Sequence, residues 1–350
     1  MSLRYLNPCI LSFSTLSTTN KLTQSMKFSA LRVASLNLFN FMQPPNAYYD
    51  YYSIYSEREW QGKCEWMLQH LRQVDAQLWG FQEVFSPAAL NHIIDKIPGD
   101  WHFTATPETD LEQQDFVFQR PGLALASCFP INSVDFIQPS PSALTQAGLD
   151  VDWQFSRAPL RAIIQHPQLG PVRVYIVHFK SGRPMAITDI QVATPNRVTS
   201  PSTLETMGQW NAMNHQHHEA RMLALDLRQQ QLDRPLPTVV MGDFNNPLDH
   251  DALAPLLNDT GLESIWSQLS PPAPSPATHY YGSLGRVLDH ILVSEHFCRS
   301  PVYGRHTQSA RAQGRVRHAQ VHDDHLCRPV HARDQFASDH TSVSAELEIL

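Results

Sequence analysis

The sequence is poor in the features that define several large protein classes. Charged residues make up 17% of its 350 positions, below the ~25% of an ordinary globular chain, which excludes a disordered polyelectrolyte. No run of about 18 apolar residues occurs, so no membrane-spanning helix is expected. Cysteine is scarce: five residues, widely spread and without a C-x-x-C pair. That disfavours a disulfide scaffold and points to a reducing, cytoplasmic compartment. There is no G-x-S-x-G, no P-loop and no G-x-G-x-x-G, so serine hydrolases, nucleoside triphosphatases and dinucleotide enzymes lack support. Net positive charge is absent as well, with 26 basic against 33 acidic residues giving −7. Such a balance disfavours holding duplex nucleic acid by bulk attraction alone, but a nuclease whose bound cations supply local charge stays compatible with it.

What is present is 42% hydrophobic residues, enough for one large layered domain or two ordinary ones. Residues 31–37 read as a strand. Ser56 and Glu59 form an S-x-x-E capping box, and Trp60, Cys64, Met67, Leu68, Leu71 and Val74 follow at helical spacing. A short apolar run at 78–81 ends in Gln82-Glu83-Val84, and a second helix starts at Ser86-Pro87 with proline in its first turn. Strand-like runs at 101–106, 123–128, 159–165 and 171–179 precede a helix over 216–232, a buried strand at 238–242 and final strands at 287–294 and 341–349. Helices separate the early strands while the middle is strand-rich, the pattern of α/β or α+β layering. Residues 1–27 read as a disordered or loosely attached N-terminal arm before a single domain over 28–350, with long loops at 181–214 and 299–337 that fit no periodic element.

Polar residues fall where the apolar runs end. Asn37, Glu83, His178, Asp243 with Asn245, and Asp289 lie at or near strand ends, and Asp339-His340 immediately precedes the last strand. Strand ends line the ligand crevice of layered α/β folds. Oxygen donors without cysteine suit Mg²⁺ or Mn²⁺. Each residue alone has an ordinary reading as a turn or cap; six such ends in one chain are hard to attribute to packing.

The segments Ala34-Ser-Leu-Asn37, Gly80-Phe-Gln-Glu83-Val84, Val177-His178-Phe-Lys-Ser181, Met241-Gly-Asp243-Phe-Asn245, Leu288-Asp289-His-Ile-Leu-Val293 and Ser338-Asp339-His340 resemble, in order, the endonuclease/exonuclease/phosphatase superfamily of deoxyribonuclease-I-like phosphoesterases. The resemblance implies a four-layer αββα sandwich, two packed mixed sheets flanked by helices. It further implies a Mg²⁺-dependent phosphoester hydrolase, with Mn²⁺ as an alternative ion. Glu83 then corresponds to the principal metal ligand, with Asn37 beside it and Asp339 as a further metal or phosphate-site carboxylate. Asp243 corresponds to the group that aligns or deprotonates the attacking water, and Asn245 to a phosphate contact. His340 resembles the imidazole on the scissile phosphate, oriented by Asp289, and His178 a second phosphate-side imidazole or general acid. Arg157, Arg161 and Lys180 are basic candidates for substrate contact.

The resemblance implies a phosphoester substrate, and the Ser35-Leu-Asn37-Leu-Phe-Asn40-Phe41 opening, similar to that of nuclease-like members, favours nucleic acid. A phosphatase or phosphodiesterase acting on a small phosphoester or phospholipid head group is the alternative, and a catalytically silent binding module is the reading from another class. The 299–337 stretch holds seven arginines and three aspartates, the composition of a basic flap that grips phosphate or of a solvated loop. Its His318, His322, His325, Cys327 and His331 match no standard zinc spacing. Tyr48, Tyr49, Tyr51 and Tyr52 are candidates for base stacking or for packing, and His215, His217 and His218 read as solvated.

Overall fold

A computed structural model describes residues 29–107, 116–185, 201–281, 283–299, 313–326 and 337–350; the N-terminal arm lies outside them. In chain order the strands are β1 (Ala30–Phe41), β2 (Ala47–Tyr48), β3 (Leu78–Val84), β4 (His102–Ala105), β5 (Val117–Phe118), β6 (Gly122–Ser127), β7 (Ile131–Phe136), β8 (Leu160–His166), β9 (Gly170–His178), β10 (Thr238–Asp243), β11 (Glu263–Ser264), β12 (His279–Tyr281), β13 (Leu284–Arg286), β14 (Asp289–Val293), β15 (Gly314–His322) and β16 (Ser342–Ile349). Twelve of them form two six-stranded mixed sheets, ordered β15-β16-β1-β3-β6-β4 and β11-β14-β10-β9-β8-β7.

Apolar residues face both ways on the central strands, because each sheet is covered twice. Val33, Leu78 and Leu125 of the first sheet meet Ile176, Val239, Met241 and Ile291 of the second in the middle of the sandwich. The outer face of the first sheet buries Leu36, Trp79 and Phe81 against Met67 and Leu71 of the helix Glu57–Val74 and Leu90 and Ile93 of the helix Pro87–Ile94. The outer face of the second buries Tyr175, Val177 and Val240 against Ala220, Leu223 and Leu227 of the helix Pro201–Asp233. These are the four αββα layers the sequence resemblance implies.

The capping box is present: Ser56 Oγ accepts from the Glu59 N–H, and Glu59 Oε2 accepts from the Ser56 N–H at 2.8 Å. Two loop assignments need correction. The helix expected from 216 begins at Pro201, so only 181–185 of the 181–214 stretch is described as non-helical. The 299–337 stretch contains β15, which pairs antiparallel with β16 at the edge of the first sheet. No helix among the described residues is long and apolar enough to cross a membrane.

Register brings the sequence-distant polar residues together. Asp243 at the end of β10 is paired with His178 of β9 on one side and Asp289 of β14 on the other. Gly242, at φ +151°, lies where a Cβ would collide with the Val177 carbonyl, so only glycine lets the β9 and β10 backbones approach here.

Candidate active site

The strand ends open into a cavity of about 400 Å³ lined by Glu83, His178, Asp243, Asn245, His279, Asp339 and His340, with Tyr49, Arg157, Arg183 and Arg286 around it. Five of the surrounding non-glycine residues hold left-handed backbone: Phe39 (φ 50°), Asn40 (φ 54°), Tyr49 (φ 64°), Glu83 (φ 58°) and Asn245 (φ 56°). Such conformations cost energy that surrounding structure must offset, and they concentrate at functional sites.

Buried Asn37 ties the sheets together. Its Nδ2 donates to Glu83 Oε1 at 3.3 Å and to Asp243 Oδ2 at 3.0 Å, while its Oδ1 accepts from the Phe39 N–H. It therefore turns N–H groups, not its oxygen, toward the two carboxylates. The Asn40 N–H donates to Glu83 Oε2 at 2.8 Å, fixing that carboxylate at the cavity wall. Below it, fully buried Lys63 donates to the Ala337 carbonyl at 2.8 Å and lies 5.6 and 5.5 Å from the Phe39 and Tyr55 ring centroids. Burial pushes this ammonium down to about 8, against the pull of Asp339 and Glu83.

Asp243 is buried between two imidazoles. The Asn245 N–H donates to its Oδ1 at 2.8 Å; His178 Nε2 stands 3.5 Å and His340 Nε2 3.9 Å from its Oδ2. Burial and nearby Asp289 raise its carboxyl well above the ordinary range, partly offset by His340. His340 Nδ1 bonds Asp289 Oδ2 at 2.8 Å. Burial opposes its charge, yet Asp289, Asp243 and Asp339 together raise its titration well above that of a free imidazole. His178 goes the other way: burial, then Arg157 and His340, push it well below, so it is neutral. Ser338 Oγ donates to the Asn37 carbonyl at 2.6 Å and accepts from the His340 N–H, which anchors the Ser-Asp-His segment to β1.

Of the three basic candidates, only Arg157 lines the cavity; its Nη1 donates to the Phe179 carbonyl at 3.3 Å and its Nε is buried with no partner among the described residues. Arg161 is not at the site, because it pairs with Asp226 at 2.6 Å and Asp135 at 3.0 Å. Lys180 turns its Nζ onto the Ser181 and Arg183 carbonyls. Asn245 spends its Nδ2 on the Phe179 carbonyl at 2.9 Å. In the basic stretch, exposed Arg315 and Arg317 face Glu348 and Glu346 of β16. His322 bonds Ser344 Oγ and His325 bonds the His340 carbonyl, each at 2.8 Å; neither belongs to a metal-type cluster among the described residues, and Cys327 and His331 lie outside those residues. Tyr48 packs on Tyr55 and Phe85, while Tyr51 and Tyr52 are exposed. His215 is not solvated, stacking on Trp153 beside Glu219.

Sequence reasoning missed Lys63, Arg183, Arg286 and His279. Lys63 is hidden on a helix that buries it beside Met67, His70 and Leu71, and His279 sits on a three-residue strand too short to show alternation.

The site's donors suit a hard divalent cation. Glu83 and Asp339 present carboxylates to the cavity, Asp339 Oδ1 is buried with no partner among the described residues, and ligating atoms of Asp243, Asp289 and His340 fall within 4.8 Å of one another.

A two-sheet sandwich in which strand ends of one sheet carry Asn and Glu and those of the other carry Asp and His matches a deoxyribonuclease-I-like fold. The sequence profile of the Endonuclease/Exonuclease/phosphatase family matches residues 64–340, and the chain belongs to that family. No curated protein sequence matches it. Among solved structures, a humanized D. rerio TDP2 is 12% identical, with 91% of this chain and 99% of that one covered at a TM-score of 0.54. The human Nocturnin catalytic domain with bound sulfate is 16% identical, covering 92% and 95% at 0.53. A mannosyl-6-phosphatase from Bacteroides thetaiotaomicron is 15% identical, covering 91% and 99% at 0.50. At these identities the likeness shows the fold alone.

Proposed function

We propose that the chain is a metal-dependent phosphodiester hydrolase, nuclease-like in its attack by an in-line water. The observation that carries this is the buried Asp243 beside an imidazole that Asp289 holds cationic, at the mouth of a cavity flanked by Glu83 and Asp339. Hydrolysis needs a positioned water, a group to take its proton, and positive charge at the non-bridging oxygens. Asp243, whose carboxyl is raised toward neutrality by burial, orients the water and accepts its proton. His340, kept protonated by Asp289, donates to a non-bridging oxygen, and neutral His178 offers it an N–H hydrogen bond. Asn37 holds Glu83 and Asp243 in fixed relation across the two sheets. Arg157 and Arg183 draw the anionic substrate into the cavity. A divalent cation held by Glu83 and Asp339 would supply charge to the phosphoryl oxygens and the leaving group.

A second reading, a small phosphoester as substrate, is favoured by the cavity's bounded volume of about 400 Å³ and by the pairing of Arg315 and Arg317 within the sheet. One experiment separates the readings. Supercoiled plasmid, a single-stranded oligonucleotide, bis-p-nitrophenyl phosphate and p-nitrophenyl phosphate are incubated with Mg²⁺, Mn²⁺ or EDTA, beside Asp243→Asn. Metal-dependent nicking that the variant loses supports the nuclease; turnover of the small esters alone moves the substrate to the second reading. Silence of the wild type on all four, with folding intact, sinks both.

A further inference from the structure

His279 stands at the start of the β12–β13 hairpin, where it forms an isolated antiparallel bridge with His340. Its neighbour Thr278 fixes that placement: the Thr341 N–H donates to its carbonyl at 2.7 Å, and its Oγ1 accepts from the Asp289 N–H at 3.0 Å. The bridge sets the two imidazoles side by side, with ring centroids 4.8 Å apart. His279 Nε2 points at Asp339 Oδ2 from 3.6 Å, beyond hydrogen-bond length, and its Nδ1 is buried with no partner among the described residues. Asp339 Oδ1 is also unpartnered, 3.9 Å from His340 Nε2.

Ligating atoms of His279, Asp339 and His340 thus converge within 4.8 Å, with His279 and His340 standing 3.6 and 3.9 Å from the Asp339 carboxylate. Two ligands on adjacent positions of one octahedral ion, each at about 2.1 Å, stand roughly 3 Å apart. The separation of 3.6 Å between His279 and Asp339 closes to that value with a small side-chain movement. His340 bonds Asp289 through Nδ1 at 2.8 Å, and its Nε2 stands farther from Asp339, at 3.9 Å, than does His279 Nε2 at 3.6 Å. That leaves an imidazole and a carboxylate facing the same point.

We propose that His279 is a nitrogen ligand to the cation at Asp339 and makes this site select a first-row transition-metal ion such as Mn²⁺ over Mg²⁺. The inference rests on the phosphoesterase reading for the presence of a cation there. Mg²⁺ takes oxygen ligands almost exclusively, whereas first-row transition-metal ions accept an imidazole nitrogen, Mn²⁺ least strongly among them.

The test is equilibrium binding and needs no turnover. Metal-free protein is titrated with Mn²⁺, read by the electron paramagnetic resonance of the free ion, and then challenged with Mg²⁺. In His279→Ala the Mn²⁺ affinity is expected to fall by about tenfold or more, with Mg²⁺ affinity unchanged. His279→Asn, which restores an oxygen donor on a similar backbone, is expected to shift preference toward Mg²⁺ and separates ligation from folding. Asp339→Asn is expected to weaken both ions, and exposed His318→Ala neither. Unchanged Mn²⁺ affinity in folded His279→Ala, or in Asp339→Asn, overturns the proposal. Mn²⁺ bound through His279 by a chain that hydrolyses no phosphoester overturns the hydrolase reading and leaves the ligand assignment standing.

Discussion

Two regions of this molecule bury imidazoles and treat them in opposite ways. At the sheet edge, His340 is surrounded by Asp289, Asp243 and Asp339 and is held charged. Behind it lies a cluster of His70, His322 and His325: His70 stacks on Trp66 at 4.9 Å, faces the His325 and His322 rings at 5.7 and 6.2 Å, and bonds Ser342 Oγ at 2.8 Å. Burial, with His325 and His322 adding repulsion, pushes His70 down to about 3. The regions touch, since His325 bonds the His340 carbonyl. The difference teaches that burial sets the cost of charge, while the neighbours decide whether it is met. Carboxylates make a cationic acid of one histidine; burial against an indole and a hydroxyl makes a neutral packing group of His70.

The largest expected effect comes from breaking the charged side. Asp243→Asn and His340→Ala are each expected to lower kcat on bis-p-nitrophenyl phosphate by on the order of 10²–10³ while circular dichroism and melting stay near wild type. Full turnover in both would remove the mechanism. Asp289→Asn sharpens the comparison by turning His340 into a histidine like His70. Its imidazole titration, followed by NMR, is expected to fall toward or below the ordinary value, with kcat reduced by about 10².

Lys63→Met is expected to matter for turnover more than for stability. Replacing a buried charge with an apolar chain of similar shape is often neutral or stabilising. The loss of its bond to the Ala337 carbonyl nevertheless frees the segment that carries Asp339 and His340. A kcat reduced about tenfold at unchanged denaturation midpoint is the expected result; a large drop in stability would assign Lys63 to the fold instead.

Acid is expected to act on the neutral cluster. His70 titrates near 3 in the folded protein and near 6.5 when unfolded, so the unfolded state binds the extra proton between those values. Its contribution to stability is complete above about pH 6.5 and is lost as pH falls toward 3. His166 and His290, both pushed down to about 4 by burial, act in the same direction. The melting temperature is expected to fall across that window, and His70→Gln to flatten part of the slope. An identical slope in that variant would separate the cluster from acid sensitivity.

Much of the fold was legible because it rests on local rules. The Ser56–Glu59 capping box, the proline opening the helix Pro87–Ile94, and the apolar runs of β3 and β10 each specify their element within a few residues. The first turns of the helix Pro201–Asp233 did not show because most of their side chains face solvent, with Trp210 60% exposed, so no apolar face repeats. β15 was hidden for a related reason. It is an edge strand whose Arg315 and Arg317 belong to a pairing with Glu346 and Glu348 on β16, and a composition rich in Arg and His reads as a loop until its partner strand is known.

The sequence by itself determined the kinds of chemical group available and their position at strand ends, because hydrophobic period and turn chemistry are properties of neighbouring residues. Family membership was legible for the same reason, in six short segments kept in order. Only the tertiary structure decided which groups meet. Register placed Asp243 between His178 and Asp289, sent Arg161 to Asp226 and left Arg157 at the cavity. It also shifted the titrations of His178 and His340 in opposite directions and brought His279 to Asp339. Those outcomes depend on distances and burial between residues far apart in the chain, which no local pattern encodes.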